Sequence, residues 1–172
     1  SILSMVQKKK LPCYCLNNLH SLAQKLQVHM GKFNNKIVWI TGASSGIGEA
    51  LAVAFAAEGA KLILSARRED ELKRVASKTG LSDDKVLVLP MDVSETANAV
   101  SKYQAAIAKF GKVDVLVNNA GLSHWSKIND TGMDVIERIM STNFLGGVAL
   151  TKAVLPDMLN QKAGQIVVIS SV

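Results

Sequence analysis

The chain has 172 residues, enough for one domain with a real core and short for two. With 48% hydrophobic and 20% charged residues it has a globular composition, and no run reaches the roughly 18 apolar residues of a membrane-spanning helix. The net charge of +6 is uneven: residues 1–35 hold Lys8, Lys9, Lys10, Lys25 and Lys32 and no acid, so the nearly neutral remainder gives no nucleic-acid signal.

Residues 1–35 form a basic leader. Leu16, Leu19, Leu22, Leu26 and Met30 recur at helical spacing, with polar residues between them. The pattern fits an amphipathic helix on a membrane surface, with Lys8–Lys10 near anionic lipid, or a short helix docked on the domain. Cys13 and Cys15, one residue apart, are poorly placed to bridge each other. With His20 and His29 they follow no standard zinc spacing, so no metal is expected.

From Lys36 to Val172 strands and helices alternate. Apolar runs predict strands at 36–40, 61–66, 85–91 and 113–118, and a fifth in "QIVVIS" from 165. Helical patterns fill 46–58, 69–79, 95–110 and 132–160. Gly59, Gly80, Gly111 and Gly164 stand between helix and strand, where left-handed C-terminal caps belong. Alternation of this kind predicts an α/β, Rossmann-type doubly wound parallel sheet, here running only as far as its fifth strand. That strand is expected to be an unprotected edge. Ligands in such folds bind at the carboxyl ends of the strands.

After the first strand comes "TGASSGIG", with Gly42, Gly46 and Gly48 at the turn into a helix. Glycine permits the tight turn and close approach of a pyrophosphate, and the helix N-terminus supplies free N–H groups. Ser44 and Ser45 add hydroxyls. No Gly-Lys-Ser/Thr is present, which argues against a P-loop nucleotidase. After the second strand stand Arg67 and Arg68, where a site preferring NAD usually carries an acid. A guanidinium fork suits a 2′-phosphate, which favours NADP(H). After the third strand, Asp92 is placed to accept from an adenine amino group; Asp92 and Glu95 also have capping-box spacing. After the fourth comes "NNAG", 118–121.

TGASSGIG, ARR, MDV and NNAG, in this order and spacing, resemble the classical short-chain dehydrogenases/reductases over residues 36–172. The phrases "LILSARR", "VLVLP" and "LTKAVLPDM" further resemble the dehydrogenase/reductase member 7 subgroup, whose members are membrane-associated. The resemblance implies an oxidoreductase that passes a hydride between NADP(H) and a small carbonyl or alcohol substrate. It implies that Gly42, Ser44, Ser45, Gly46, Ile47 and Gly48 surround the phosphates, with Arg67 and Arg68 at the 2′-phosphate. Asp92 and Val93 would meet the adenine, and Asn119, Ala120 and Gly121 the adenosine ribose, with Asn118 bracing the sheet. Asn143, in "STNFLGG", would position a relay water, its alternative being a buried amide at a helix irregularity beside Gly146 and Gly147. Ser171 would hold the substrate oxygen, with Ser170 capping the strand. His124 and Trp125 would line the substrate pocket or merely pack. The helix at 132–160 would serve a homodimer, and the leader a membrane surface such as the endoplasmic reticulum, with the cytoplasm as the alternative location.

One departure stands out. The family's acid/base is a Tyr followed four positions later by a Lys that lowers its pKa. The tyrosines here, Tyr14 and Tyr103, are followed at that spacing by Asn18 and Ile107. The expectation is therefore a fragment of such an enzyme that turns over poorly, or a short form that binds nucleotide as a sensor or partner subunit.

Overall fold

The computed structural model describes residues 31–170. The expected leader helix, with Cys13, Cys15, His20 and His29, lies outside them, as does Ser171. Five strands form one parallel sheet: β1 (Ile37–Thr41), β2 (Lys61–Ser65), β3 (Val86–Val88), β4 (Val115–Asn118) and β5 (Gln165–Val168). Their spatial order is β3-β2-β1-β4-β5. The helices are α1 (Gly46–Ala57), α2 (Glu69–Thr79), α3 (Ala99–Phe110), α4 (Met133–Met140) and α5 (Gly146–Asn160). No helix among the described residues is long and apolar enough to cross a membrane.

Strand β1 is central and buried along its whole length. Trp39 pairs in register with Ile63 of β2 and Leu116 of β4. A strand covered on both faces has no polar side, which is why 37–40 is a continuous apolar run. Alternate residues serve two layers. Trp39, Ile63 and Leu116 pack with Ala106, Leu150, Val154 and Met158, so α3 and α5 cover that face. Val38, Ile40, Leu62, Leu64, Val115 and Val117 pack with Ala52, Leu72 and Val75, from α1 and α2. Each large side chain buried this way contributes about 1.5–3 kcal/mol. The indole of Trp39 keeps its one polar atom satisfied: Nε1 donates to Ser65 Oγ at 2.9 Å.

The body extends slightly to the N-terminal side of Lys36. Phe33 meets Phe55 edge-on at 4.7 Å, and the Asn35 N–H donates to the Gly59 carbonyl at 3.0 Å.

Several element ends differ from expectation. Gly80 (φ 68) and Gly111 (φ 77) are left-handed caps as predicted. Gly164 is not: its φ is 154, and Lys162 (φ 51) takes the left-handed position instead. Glycine is still needed at 164, where a Cβ would lie 2.5 Å from Met158 Cγ. The Asp92–Glu95 capping box does not form. Asp92 Oδ1 accepts from Ser94 N at 2.9 Å and Ser94 Oγ at 2.6 Å, a local turn that satisfies the carboxylate before any helix begins. A 3₁₀ turn, Thr96–Asn98, then leads into α3. The 132–160 stretch is two helices joined by a π-helical turn, Ser141–Leu145. Close packing accompanies this break, since a Cβ on Gly146 would lie 2.5 Å from the Val93 carbonyl oxygen. Strand β5 stops at Val168, so Ser170 is exposed beyond it rather than capping its end. Gln165 and Val168 are exposed, and β5 is an edge of the described sheet.

Candidate active site

The chain crosses from one side of β1 to the other on its way to β4, and the carboxyl ends of these two strands open a crevice at that switch point. A cavity of about 420 Å³ occupies it. Gly42, Ser44, Ser45 and Ile47 line it from the β1 loop, and Arg67 and Arg68 from the β2 end. Asp92 and Val93 come from the β3 side, and Asn119, Ala120 and Gly121 from the β4 end. Gly46 and Gly48 are not on its wall. Ala66, Met91, Leu122 and Thr142 are, although none stood out in the sequence. Ala66 and Met91 adjoin recognised motifs, so their signal was available. Leu122 directly follows the Asn-Asn-Ala-Gly turn and Thr142 directly precedes Asn143, so theirs was too.

The loop after β1 is shaped by its glycines. Gly42 (φ 65) and Gly46 (φ 57) take left-handed conformations that side chains disfavour. Gly48 serves a different purpose: a Cβ there would lie 2.3 Å from the Gly42 carbonyl oxygen, so the first turn of α1 rests on its own loop. Ser45 stands at the N-cap with its hydroxyl making no cap bond, which leaves it available beside the cavity.

Thr41 ties this loop to the β4 end. Its Oγ1 donates to the Val117 carbonyl at 3.2 Å and accepts from the N–H groups of Asn119 and Ala120, each at 3.0 Å. Asn119 Nδ2 returns the contact by donating to the Thr41 carbonyl at 2.9 Å. Asn119 thus shapes the wall as well as lining it. Asn118 braces the sheet: its Nδ2 donates to Thr151 Oγ1 at 3.1 Å, joining β4 to α5, and its carbonyl accepts from the Ile169 N–H at 2.9 Å. Its Oδ1 is buried without a partner among the described residues.

The electrostatics of the first cavity are mixed by design of its loops. Among the described residues neither Arg67 nor Arg68 is in a salt bridge. Burial works against the charge on Asp92, but the Ser94 donors and Arg67 outweigh it and hold the carboxyl below its ordinary range. The cavity therefore presents an anionic acceptor and two guanidinium forks near one another.

A second cavity, about 270 Å³, is lined by Asn118, Asn143, Thr151, Lys152, Val168 and Ile169 among others. It shares Val93, Ala120 and Thr142 with the first, so the two adjoin. Asn143 sits in the π turn and is exposed rather than buried. Its amide holds Leu122 at both ends, Oδ1 accepting from the N–H at 2.7 Å and Nδ2 donating to the carbonyl at 2.9 Å. Trp125 and His124 line neither cavity. Trp125 is 100% exposed and packs on nothing, while His124 Nε2 shares a hydrogen bond with Ser126 Oγ at 2.9 Å. Tyr103 is a strut: its hydroxyl donates to Asp157 Oδ2, linking α3 to α5. Burial and that carboxylate push its phenol up, away from any acid/base use near neutrality. No cluster of metal-ligating side chains occurs among the described residues.

A parallel sheet in this order, a glycine loop after β1 and an Asn-Ala-Gly turn after β4 sharing one cavity define a dinucleotide-binding fold. The chain belongs to the short chain dehydrogenase family, whose family model matches residues 36–172.

Among its relatives, human dehydrogenase/reductase SDR family member 7 is 43% identical over 145 residues, covering 82% of this chain and 43% of that protein. Bovine dehydrogenase/reductase SDR family member 7B is 38% identical over 168 residues, covering 94% of this chain and 51% of that protein. The chain spans about half the length of the curated relatives it matches. Among solved structures, a metagenomic short-chain oxidoreductase in complex with NADP is similar with a TM-score of 0.77 and 28% identity, over 81% of this chain and 64% of that one. A Caenorhabditis elegans short-chain dehydrogenase/reductase with cofactor gives 0.74 and 34%, over 81% and 54%.

Proposed function

We propose that this chain carries the NADP(H)-binding part of an oxidoreductase acting on a carbonyl or alcohol carbon. The observation that carries this reading is the pairing of Arg67 and Arg68 with the Gly42–Ile47 loop on one cavity wall. The loop and the α1 N-terminus suit a pyrophosphate, and the guanidinium forks suit a 2′-phosphate. The relative solved with NADP supports the choice of cofactor. When bound, NADP(H) supplies the hydride. The chain's own residues orient it: Ser45 and the α1 N–H groups hold the phosphates, Asp92 accepts from the adenine, and Asn119–Gly121 bound the ribose side.

Ser171, which lies outside the described residues, would hold the substrate oxygen. Asn143, held in place by its two bonds to Leu122, would position a relay water. Dimerisation through α4 and α5 is part of the reading. Met140, Phe144, Leu145 and Leu159 are exposed apolar side chains along that segment. So is contact of the basic leader with a membrane surface.

Calorimetric titration with NADPH and NADH tests the cofactor. Tighter binding of NADPH by about tenfold or more is expected from charge-assisted bonds to the 2′-phosphate. Equal affinity for the two would overturn the assignment. A second reading, a nucleotide-binding chain without turnover, draws support from the engagement of Tyr103 with Asp157. Carbonyl-dependent NADPH oxidation by the purified chain would exclude it.

A further inference from the structure

We propose that Arg74 is a positioning residue for the phosphate-facing loop, acting from outside the cavity. It lies on α2 and does not line the cavity. Its guanidinium forks onto Glu49, with Nη1 to Oε1 at 3.0 Å and Nη2 to Oε2 at 2.8 Å. Nε donates to Glu71 Oε2 at 2.8 Å, and Nη2 also donates to the Ser44 carbonyl at 3.3 Å. Glu49 belongs to the first turn of α1, and Ser44 directly precedes the N-cap Ser45. One side chain therefore holds both flanks of the N-cap, the loop peptide before it and the helical turn after it.

The charges in this cluster cancel. Arg74 and Lys78 face Glu49 and Glu71, with Lys78 Nζ donating to Glu49 Oε1 at 2.8 Å. A neutral cluster does not attract phosphate over distance, so the contribution of Arg74 is geometric. The helix that carries it begins at Glu69, directly after Arg67 and Arg68. Arg74 thereby sets the β1 loop against the guanidinium pair at the end of β2. A main-chain bond, Ala43 N–H to the Ser65 carbonyl at 3.1 Å, is a second tie between the same loop and strand. A ligand that spans both halves of the cavity depends on their spacing. A ligand confined to the arginine side does not.

The inference rests on the NADP(H) reading, and two probes separate their fates. Dissociation constants for NADPH and for adenosine 2′-monophosphate are measured on the full chain, Arg74→Ala and Arg74→Lys. Arg74→Ala is expected to lose about tenfold for NADPH and to stay within about twofold for the monophosphate. Arg74→Ala leaves Lys78 facing Glu49 and Glu71 at a net −1, a field that salt screens, so the geometric part of the loss is the part that persists in high salt. Arg74→Lys recovers part of it, since one ammonium cannot fork Glu49 and reach Ser44 together. It also provides the comparison if Arg74→Ala does not fold. Equal losses on both probes, or none on NADPH in either variant, would overturn the positioning role while leaving the cofactor assignment intact. A wild-type chain that binds neither probe would overturn the assignment, and the role of Arg74 with it.

Discussion

Asn143 grips the backbone of Leu122 at both of its polar groups, accepting from the N–H at 2.7 Å and donating to the carbonyl at 2.9 Å. The two residues are 21 positions apart, and the contact joins the π turn to the segment after β4. It fixes one wall of the crevice where the two cavities meet.

Replacing Asn143 by Ala removes both bonds. The expected cost is about 1–2 kcal/mol, since each exposed bond is worth roughly 0.5–1.5 net. Hydrogen exchange at the Leu122 amide should accelerate strongly in the variant. Unchanged exchange there would mean the contact is not formed in solution.

Gly146→Ala is expected to be costly although the position is helical, where Ala is ordinarily preferred. The new Cβ would meet Val93 backbone, with the carbonyl oxygen at 2.5 Å and the carbon at 2.9 Å. Backbone atoms cannot rotate away, so α5 must shift from the sheet. A loss of about 1–3 kcal/mol is expected in urea denaturation, as for other overpacking changes. A neutral or stabilising result would show that α5 sits farther out.

Ser65→Ala leaves the Trp39 indole N–H buried without its acceptor. The expected destabilisation is about 1–3 kcal/mol, the desolvation cost of an unpaired buried donor. Trp39→Phe/Ser65→Ala offers a contrast with Trp39→Phe alone, because with the indole gone the serine change strands no donor. Denaturation curves of these variants, compared with wild type, check whether the serine change is dominated by the stranded N–H.

Side-chain hydrogen bonds from Arg74 and then Lys78 lower the Glu49 carboxyl from 4.5 to about 2. A depressed carboxylate pKa stabilises the folded state above the unfolded value, and that contribution fades as pH falls toward the folded one. The window is therefore pH 4.5 down to about 2. The melting temperature should fall across that range, and the slope should flatten in Glu49→Gln. An equally steep slope in the variant would assign the acid loss to other carboxylates. Asp114 is one such group. Burial opposes its charge, but Lys112, the Ile37 N–H and Lys36 hold it below its ordinary range.

Much of the architecture was legible because it follows from local periodicity. The run 37–40 had to be a strand buried on both faces, and the helix at 69–79 began and ended where its pattern did. The glycine loop, the arginine pair and the Asn-Ala-Gly turn each sit directly after a strand, so knowing the strands placed them at one end of the sheet. Asp92 shows the limit: capping-box spacing was present, yet the nearby Ser94 hydroxyl and N–H satisfied the carboxylate first. Trp125 shows another, since a large aromatic in a pocket-facing segment lies fully in solvent.

The sequence by itself determined the parallel sheet and the residues that meet at its carboxyl edge, because strand alternation and glycine placement act over a few positions. Only the tertiary structure decided what closes that edge. Thr41 pinning the 119–120 turn, Asn143 holding Leu122 and Arg74 reaching Ser44 and Glu49 all span 21 positions or more. Such contacts depend on which helix lies beside which loop, and a polar side chain has no periodicity that reveals its distant partner.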